Sequence, residues 1–194
     1  MSLRNLSDSR RTPHEHPMPR NKRLQDRDEK CDEIIACARR LFLEAGYDAT
    51  SMSRLATAAG VAANTIYWYF HDKDDVLVAV LNAEMADIWN SYLDTTLATP
   101  AERLFWISSE LQRASRLVST VHARLQVSEP INQWHNRFHA AIESLALLQL
   151  EAAGIAAERR AALLKIWVFS VEGMLAHPMT DEERRAICAT LVSC

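Results

Sequence analysis

The sequence predicts an all-α fold: a three-helix unit containing a helix-turn-helix, followed by a larger helical part, about nine helices in all. Three observations carry this. Apolar residues recur at three- and four-residue spacing in segment after segment, and no stretch alternates with the period of two of a half-buried strand. Glycine is scarce, 4 of 194 residues, while Ala and Leu are plentiful. Helix punctuation brackets the periodic runs, with Ser, Thr or Asp in front and Gly or Pro behind. A hydrophobic content of 48% is enough for a substantial core.

The elements follow in order. Residues 1–26 are expected to form a disordered basic arm, because Arg4, Arg10, Arg11, Arg20, Lys22 and Arg23 face only Asp8 and Glu15 over residues 1–25, and three prolines interrupt them. Such an arm is either a solvated tail or a strand of charge that reaches a groove or phosphates. Helix one is predicted over 27–45, with Ile34, Ile35, Ala38, Leu41 and Phe42 inward and Gly46 as its cap. Ser51 is a good N-cap for a second helix starting at Met52, whose apolar face is Leu55, Ala56 and Ala59 and whose end is Gly60. A third helix opens at Ala62 or Ala63 and is predicted to run through Phe70. Ile66, Phe70 and Tyr69 are expected inward, Asn64, Thr65 and Trp68 outward, and Tyr67 at the edge.

Asp72 and Asp75 form an approximate capping box for helix four, whose apolar stripe continues from Val76 to Tyr92 over some six turns. Thr99-Pro100-Ala101-Glu102 is a sharp start signal for a helix predicted to residue 118. Residues 119–127 read as less regular. A long helix is expected over 130–153 before Gly154, another over 156–176 before His177-Pro178, and a last one to residue 192 behind the Thr180/Glu183 capping box.

Two short helices joined by a tight glycine turn, the second carrying hydroxyls and aromatics and followed by a lysine, have the build of a DNA-reading helix-turn-helix. Asn and Thr can hydrogen-bond base edges, and a Thr methyl can meet a thymine methyl. The candidate set is Asn64, Thr65 and Trp68 towards bases, with Ser51, Tyr67, Tyr69 and Lys73 on phosphates and Arg54 as a further backbone contact.

The run of Gly60, Val61, Thr65, Ile66, Tyr67, Phe70, Lys73, Val76 and Leu77, with LFLEAGYDATSMSRLA upstream, strongly resembles the TetR/AcrR family of transcriptional regulators over residues 27–80. Two departures stand out: Ala62 occupies a position where the family often has a capping side chain, and Ala63 offers only apolar contact. The resemblance implies a DNA-binding domain over 27–76 and an effector-binding and dimerisation domain over 77–194. It also implies a homodimer on a palindromic double-stranded operator, a repressor released by an unknown small molecule, and no cofactor. Helix four would join the domains and carry the effect of ligand through its tilt.

In that frame, Met85, Trp89, Trp106, Trp134, Phe138 and His139 are candidates for an effector pocket in the aromatic second domain. Leu164, Trp167, Val168, Val171 and Leu175 on the penultimate helix, with Ile187 and Leu191 on the last, are candidates for the dimer interface.

Charge and chemistry narrow the remaining classes. The chain carries a net charge of -3, and between residues 31 and 80 Arg39, Arg40, Arg54 and Lys73 are outnumbered by Asp32, Glu33, Glu44, Asp48, Asp72, Asp74 and Asp75. Phosphate neutralisation must therefore come from elsewhere, or binding is weak at physiological salt. His135, His139 and Glu143, four apart, line one helix face; they are a candidate metal site with His122 as a further ligand, or simply a polar stripe. No nucleophile elbow, phosphate loop or zinc-protease motif is present, so no catalysis is expected. Cys31, Cys37, Cys188 and Cys194 lack metal or redox spacing and read as free thiols. With no run near the length of a membrane span and no signal-peptide pattern, the expectation is a cytoplasmic protein. The alternatives are a DNA-binding regulator or adaptor without an effector, and one that responds to metal at His135/His139.

Overall fold

The computed structural model describes the backbone of residues 19–152 and 154–193 and side chains from residue 26 onward. Nine helices occupy the described residues: α1 Pro19–Glu44, α2 Met52–Ala58, α3 Ala63–Ile66, α4 Lys73–Asp94, α5 Pro100–Arg113, α6 Ser115–Arg124, α7 Glu129–Ala152, α8 Ala157–Ala176 and α9 Asp181–Ser193. No strand occurs among them, and none of their helices is long and apolar enough to cross a membrane.

Two boundaries differ from expectation. Helix α1 starts at Pro19, eight residues before the predicted start, so Arg20, Lys22 and Arg23 belong to a helix and not to a loose arm. Proline suits a first helical position because its fixed φ matches and its missing N–H has no partner there anyway; no glycine or proline interrupts the chain behind it. The rest of the predicted arm, residues 1–18, lies outside the described residues. The single helix expected over 99–118 is two. It stops at Ala114, whose N–H still donates to the Glu110 carbonyl (3.2 Å), and α6 then covers residues expected to be irregular. Ala114 is fully packed, and its small side chain lets the two helices turn against the core beside Leu117.

The local start signals act as written. Thr99 and Glu102 exchange both bonds of a capping box, as do Thr180 and Glu183. The Asp72 carboxylate accepts from the N–H groups of Asp74 (2.8 Å) and Asp75 (3.0 Å), and Asp75 in return accepts from His71 N–H (3.0 Å).

One continuous core joins the two halves of the chain. It runs from Ile34, Ala38, Leu41 and Phe42 of α1 through Leu55, Ile66 and Phe70, along Val76, Leu77, Val80 and Leu81 of α4, to Leu117, Val121, Ile131 and Trp134. Helix α4 is its spine. Burial of this apolar surface is the main favourable term holding the short α2 and α3, which are too short to be stable alone. Beside it, Arg39 of α1 bonds Glu84 and Asp87 of α4, so the largely buried Glu84 carboxylate has a charged partner.

Candidate nucleic-acid interface

The reading segment is built by a turn and two pins. The Ser51 hydroxyl accepts from Arg54 N–H (3.1 Å) and caps α2, while Arg54 Nη1 donates to the Ala49 carbonyl (3.0 Å). Gly60 ends α2 at φ 66°, in the left-handed region where a Cβ is strained, and Val61 N–H closes the corner on the Ala56 carbonyl (2.9 Å). Ile66 and Phe70 are buried beneath it and Tyr69 is half-buried.

Helix α3 is shorter than predicted. It is α-helical only over Ala63–Ile66, and the chain then tightens into turns in which Trp68 N–H bonds the Thr65 carbonyl (3.1 Å) and Tyr69 N–H the Ile66 carbonyl (3.1 Å). Three causes act together. Ala62 supplies no side-chain cap, the run from Thr65 to Phe70 is β-branched and aromatic with modest helix propensity, and Asp72 begins a new helix two residues on. The outward face is nevertheless the expected one: Asn64 is exposed, Thr65 half-buried, Tyr67 54% exposed and Trp68 82% exposed. A tryptophan that open contributes little to the fold of this chain.

Behind the reader lies a polar cluster that the sequence did not single out. Tyr47, in the α1–α2 link, is buried with its hydroxyl donating to the Asp74 carboxylate. Arg124, the last residue of α6, donates to both oxygens of Asp74 (Nε 2.7 Å, Nη2 2.8 Å) and lies over the Tyr47 ring (4.8 Å). Burial pushes the Asp74 carboxyl up, but the bonds from Arg124 and Tyr47 together hold it below its usual range. Burial and the adjacent carboxylate push the Tyr47 phenol well up. A second α6 arginine, Arg116, donates to the last α1 carbonyls, Leu43 (2.9 Å) and Glu44 (2.6 Å). Two α6 arginines thus grip the helical unit that carries the reader.

Lys73 differs from expectation. Its ammonium donates to the Tyr47 carbonyl (2.9 Å) and sits over the Tyr47 ring (3.9 Å), and burial lowers its pKa. This cation holds the α1–α2 link to α4. Arg39, Arg40 and Arg54 also have partners within the chain. Arg27 of α1 lies 6.0 Å from the Tyr69 ring, so α1 brings positive charge beside the reading segment.

The candidate effector residues do not form one pocket. Trp134 is core: its Nε1 donates to Asn82 Oδ1 (2.9 Å) and its ring stacks on Phe138 at 5.3 Å. Met85 packs partly buried against the same core. Trp89 stacks on Tyr92 (5.9 Å), which meets Trp106 (5.7 Å), forming an aromatic file between α4 and α5. His139 meets Phe138 edge-on (5.6 Å) and continues into a histidine row: its ring lies 4.2 Å from that of His135, and His135 lies 5.5 Å from His122 of α6. Glu143 stays exposed one turn on, and no group of three His, Cys, Asp or Glu among the described residues is arranged to hold a metal ion. Burial, then the neighbouring His139 and His122, pushes the His135 pKa down.

The candidate dimer residues are largely used inside the protomer. Leu164 is buried, Trp167 Nε1 donates to the Leu191 carbonyl (3.0 Å), and Val168, Val171, Leu175, Ile187 and Leu191 are half-buried. Helix α8 is apolar almost all round, so periodicity alone could not say which side meets its own bundle. Its open apolar side chains are Ile166 and Phe169, the latter 68% exposed. Ile142, Leu145 and Leu148 of α7 are also exposed.

With the geometry in place, the similarities to known proteins can be read. The family model of "Bacterial regulatory proteins, tetR family" matches residues 34–80, the stretch from α1 to the first half of α4. The HTH-type transcriptional regulator AcrR of Shigella flexneri is 32% identical over 83 residues, 43% of this chain and 39% of that protein. The chain therefore spans about two fifths of that curated relative in the region matched. Among solved structures, a transcriptional regulator from Rhodococcus sp. Rha1 shares the fold at a TM-score of 0.69 and 16% identity, over 84% of this chain and 94% of that one. A putative transcriptional regulator from Saccharomonospora viridis, solved with choline, follows at 0.68 and 16%, over 86% and 96%.

Proposed function

We propose that this chain, which belongs to the tetR family of bacterial regulatory proteins, is a sequence-specific transcriptional regulator, working in the cytoplasm as a homodimeric repressor that a small molecule releases. The observation that carries the reading is the exposed face of Asn64, Tyr67 and Trp68, on a segment fixed by Gly60 in front and by buried Ile66 and Phe70 beneath. Asn64 offers a bidentate amide to a base edge, with Thr65 beside it, and Tyr67 and Trp68 supply contact to sugar and phosphate or to a thymine methyl. Ser51, Arg54, Tyr69 and Lys73 hold the segment in place. Release requires a ligand with different affinity for the binding and non-binding arrangements, and α4 is the rigid element shared by both halves.

Two copies are proposed to pair through the open apolar side chains of α8 and α7, with Ile166 and Phe169 set against Ile142, Leu145 and Leu148. A two-fold axis there carries two reading segments to half-sites on one face of the duplex. The domains are proposed at 27–76 and 77–194, with the core continuous across the boundary. No catalytic role is proposed.

The test is selection of bound duplexes from a random pool at low salt, with Asn64→Ala/Trp68→Ala as control. An enriched palindrome that the double variant fails to enrich supports the reading. No enrichment, or the same enrichment by the variant, contradicts it.

A further inference from the structure

A groove of about 590 Å3 runs between α5 and α9, and it contains only one of the residues expected to bind an effector, Trp106. Its wall is Phe105 and Trp106 of α5 and its far side is Arg184 and Arg185 of α9. The two guanidinium groups lie over the Phe105 ring, at 5.3 Å for Arg184 and 4.0 Å for Arg185.

The decisive feature is which charges already have partners. Three carboxylates line the groove, and each is engaged: Glu102 with the Thr99 cap, Glu110 with Arg113, and Asp181 with Arg184. On the basic side the match is incomplete. Arg184 is largely buried and gives Nη2 to Asp181 (2.6 Å), yet its Nε and Nη1 are buried with no acceptor among the described residues. Arg185 is exposed, with no carboxylate at ion-pair distance among those residues. Buried donors without acceptors are costly, so Arg184 keeps uncompensated positive charge at the groove, and the open guanidinium edge of Arg185 beside an aromatic wall matches the planar, two-oxygen geometry of a carboxylate.

We propose that the α5–α9 groove binds a small organic carboxylate, its planar apolar part against Phe105 and Trp106 and its carboxylate held by the exposed guanidinium of Arg185, with the positive charge of Arg184 behind it. The proposal rests on the regulator reading and gives its effector a chemical class and a place. It also supplies a route to the reader. The rim of the groove includes Thr96 and Leu97, the link out of α4, and Trp106 meets Tyr92 on the last turns of α4. An occupant therefore bears on the carboxyl end of the helix whose amino end carries Lys73 and Asp74.

The test needs no DNA, so its failure is separate from failure of the regulator reading. Isothermal titration of the full chain uses 2-naphthoate and its neutral isostere 2-naphthamide. The expected result is that naphthoate binds about tenfold or more tightly than the amide. Arg185→Gln, at an exposed position that leaves the fold intact, removes that advantage, while Arg137→Gln, an exposed cation of α7 outside the groove, leaves it unchanged. Equal binding of the two probes overturns the proposal. So does an advantage that survives Arg185→Gln, one lost with Arg137→Gln, or no binding of naphthoate at millimolar concentration.

Discussion

The two ends of α4 are held by opposite kinds of chemistry. At the amino end the hold is polar and specific: Asp72 caps the helix, Asp74 takes two bonds from Arg124 and one from Tyr47, and Lys73 binds the Tyr47 carbonyl. At the carboxyl end the hold is aromatic and loose. Trp89 and Tyr92 stack without a hydrogen bond between them, Trp89 is half open to solvent, and Leu93 is exposed. A directional network fixes one geometry, because moving it leaves buried donors or charges unmet. Stacked rings slide at small cost. Under the proposed function, the carboxyl end is where an effector would act and the amino end is where the movement would be delivered intact.

The largest effect expected from this contrast is loss of the Arg124 grip. Arg124→Ala leaves the Asp74 carboxylate part-buried without its cation and should cost about 2 kcal/mol in urea unfolding. Trp89→Ala, at the loose end, should cost under about 1 kcal/mol. Equal losses would erase the distinction between the ends.

Next comes pH, through His135, which faces His139 on its own helix, His122 on α6 and Glu172 on α8. Its folded pKa lies below the ordinary value of about 6.5, so the unfolded chain binds the proton more readily. Its contribution is fully present above about pH 6.5 and is lost as pH falls towards the lower folded value. Thermal melting should therefore decline on acidification below about pH 6.5, and His135→Gln should flatten that decline. A slope unchanged in the variant would assign it to other groups.

The smallest effect is at the uncapped start of α3. Ala62→Ser supplies the missing N-cap and should raise stability by about 0.5–1 kcal/mol in the same urea measurement. No gain would mean that the reading segment is set wholly by its packing on Ile66 and Phe70.

The sequence was most legible where structure is decided locally. Gly60, the Thr99–Glu102 and Thr180–Glu183 boxes, and the inward Ile66 and Phe70 all act within a few residues of their own position, and spacing is enough to read them. The contacts that hold the reader are not of that kind. Asp74 and Arg124 are 50 residues apart, and Arg116 reaches back 73 residues to Leu43. No local pattern marks either pair. Lys73 is placed on phosphates by its spacing alone, and a sequence cannot show that a carbonyl and a ring 26 residues away also hold it. Helix α8 is hard to read for another reason. Its apolar side chains are spread widely round the helix and give little phase, so spacing alone could not separate Leu164, packed on its own bundle, from the open Ile166 and Phe169.

The most direct test is the affinity of Trp68→Ala for a duplex enriched by the wild-type protein, measured by fluorescence anisotropy beside its melting temperature. Trp68 is 82% exposed, so melting should stay within a degree or two, whereas affinity should fall about tenfold or more. Unchanged affinity at unchanged stability would mean that this face does not meet DNA, and the reading of the site would fail.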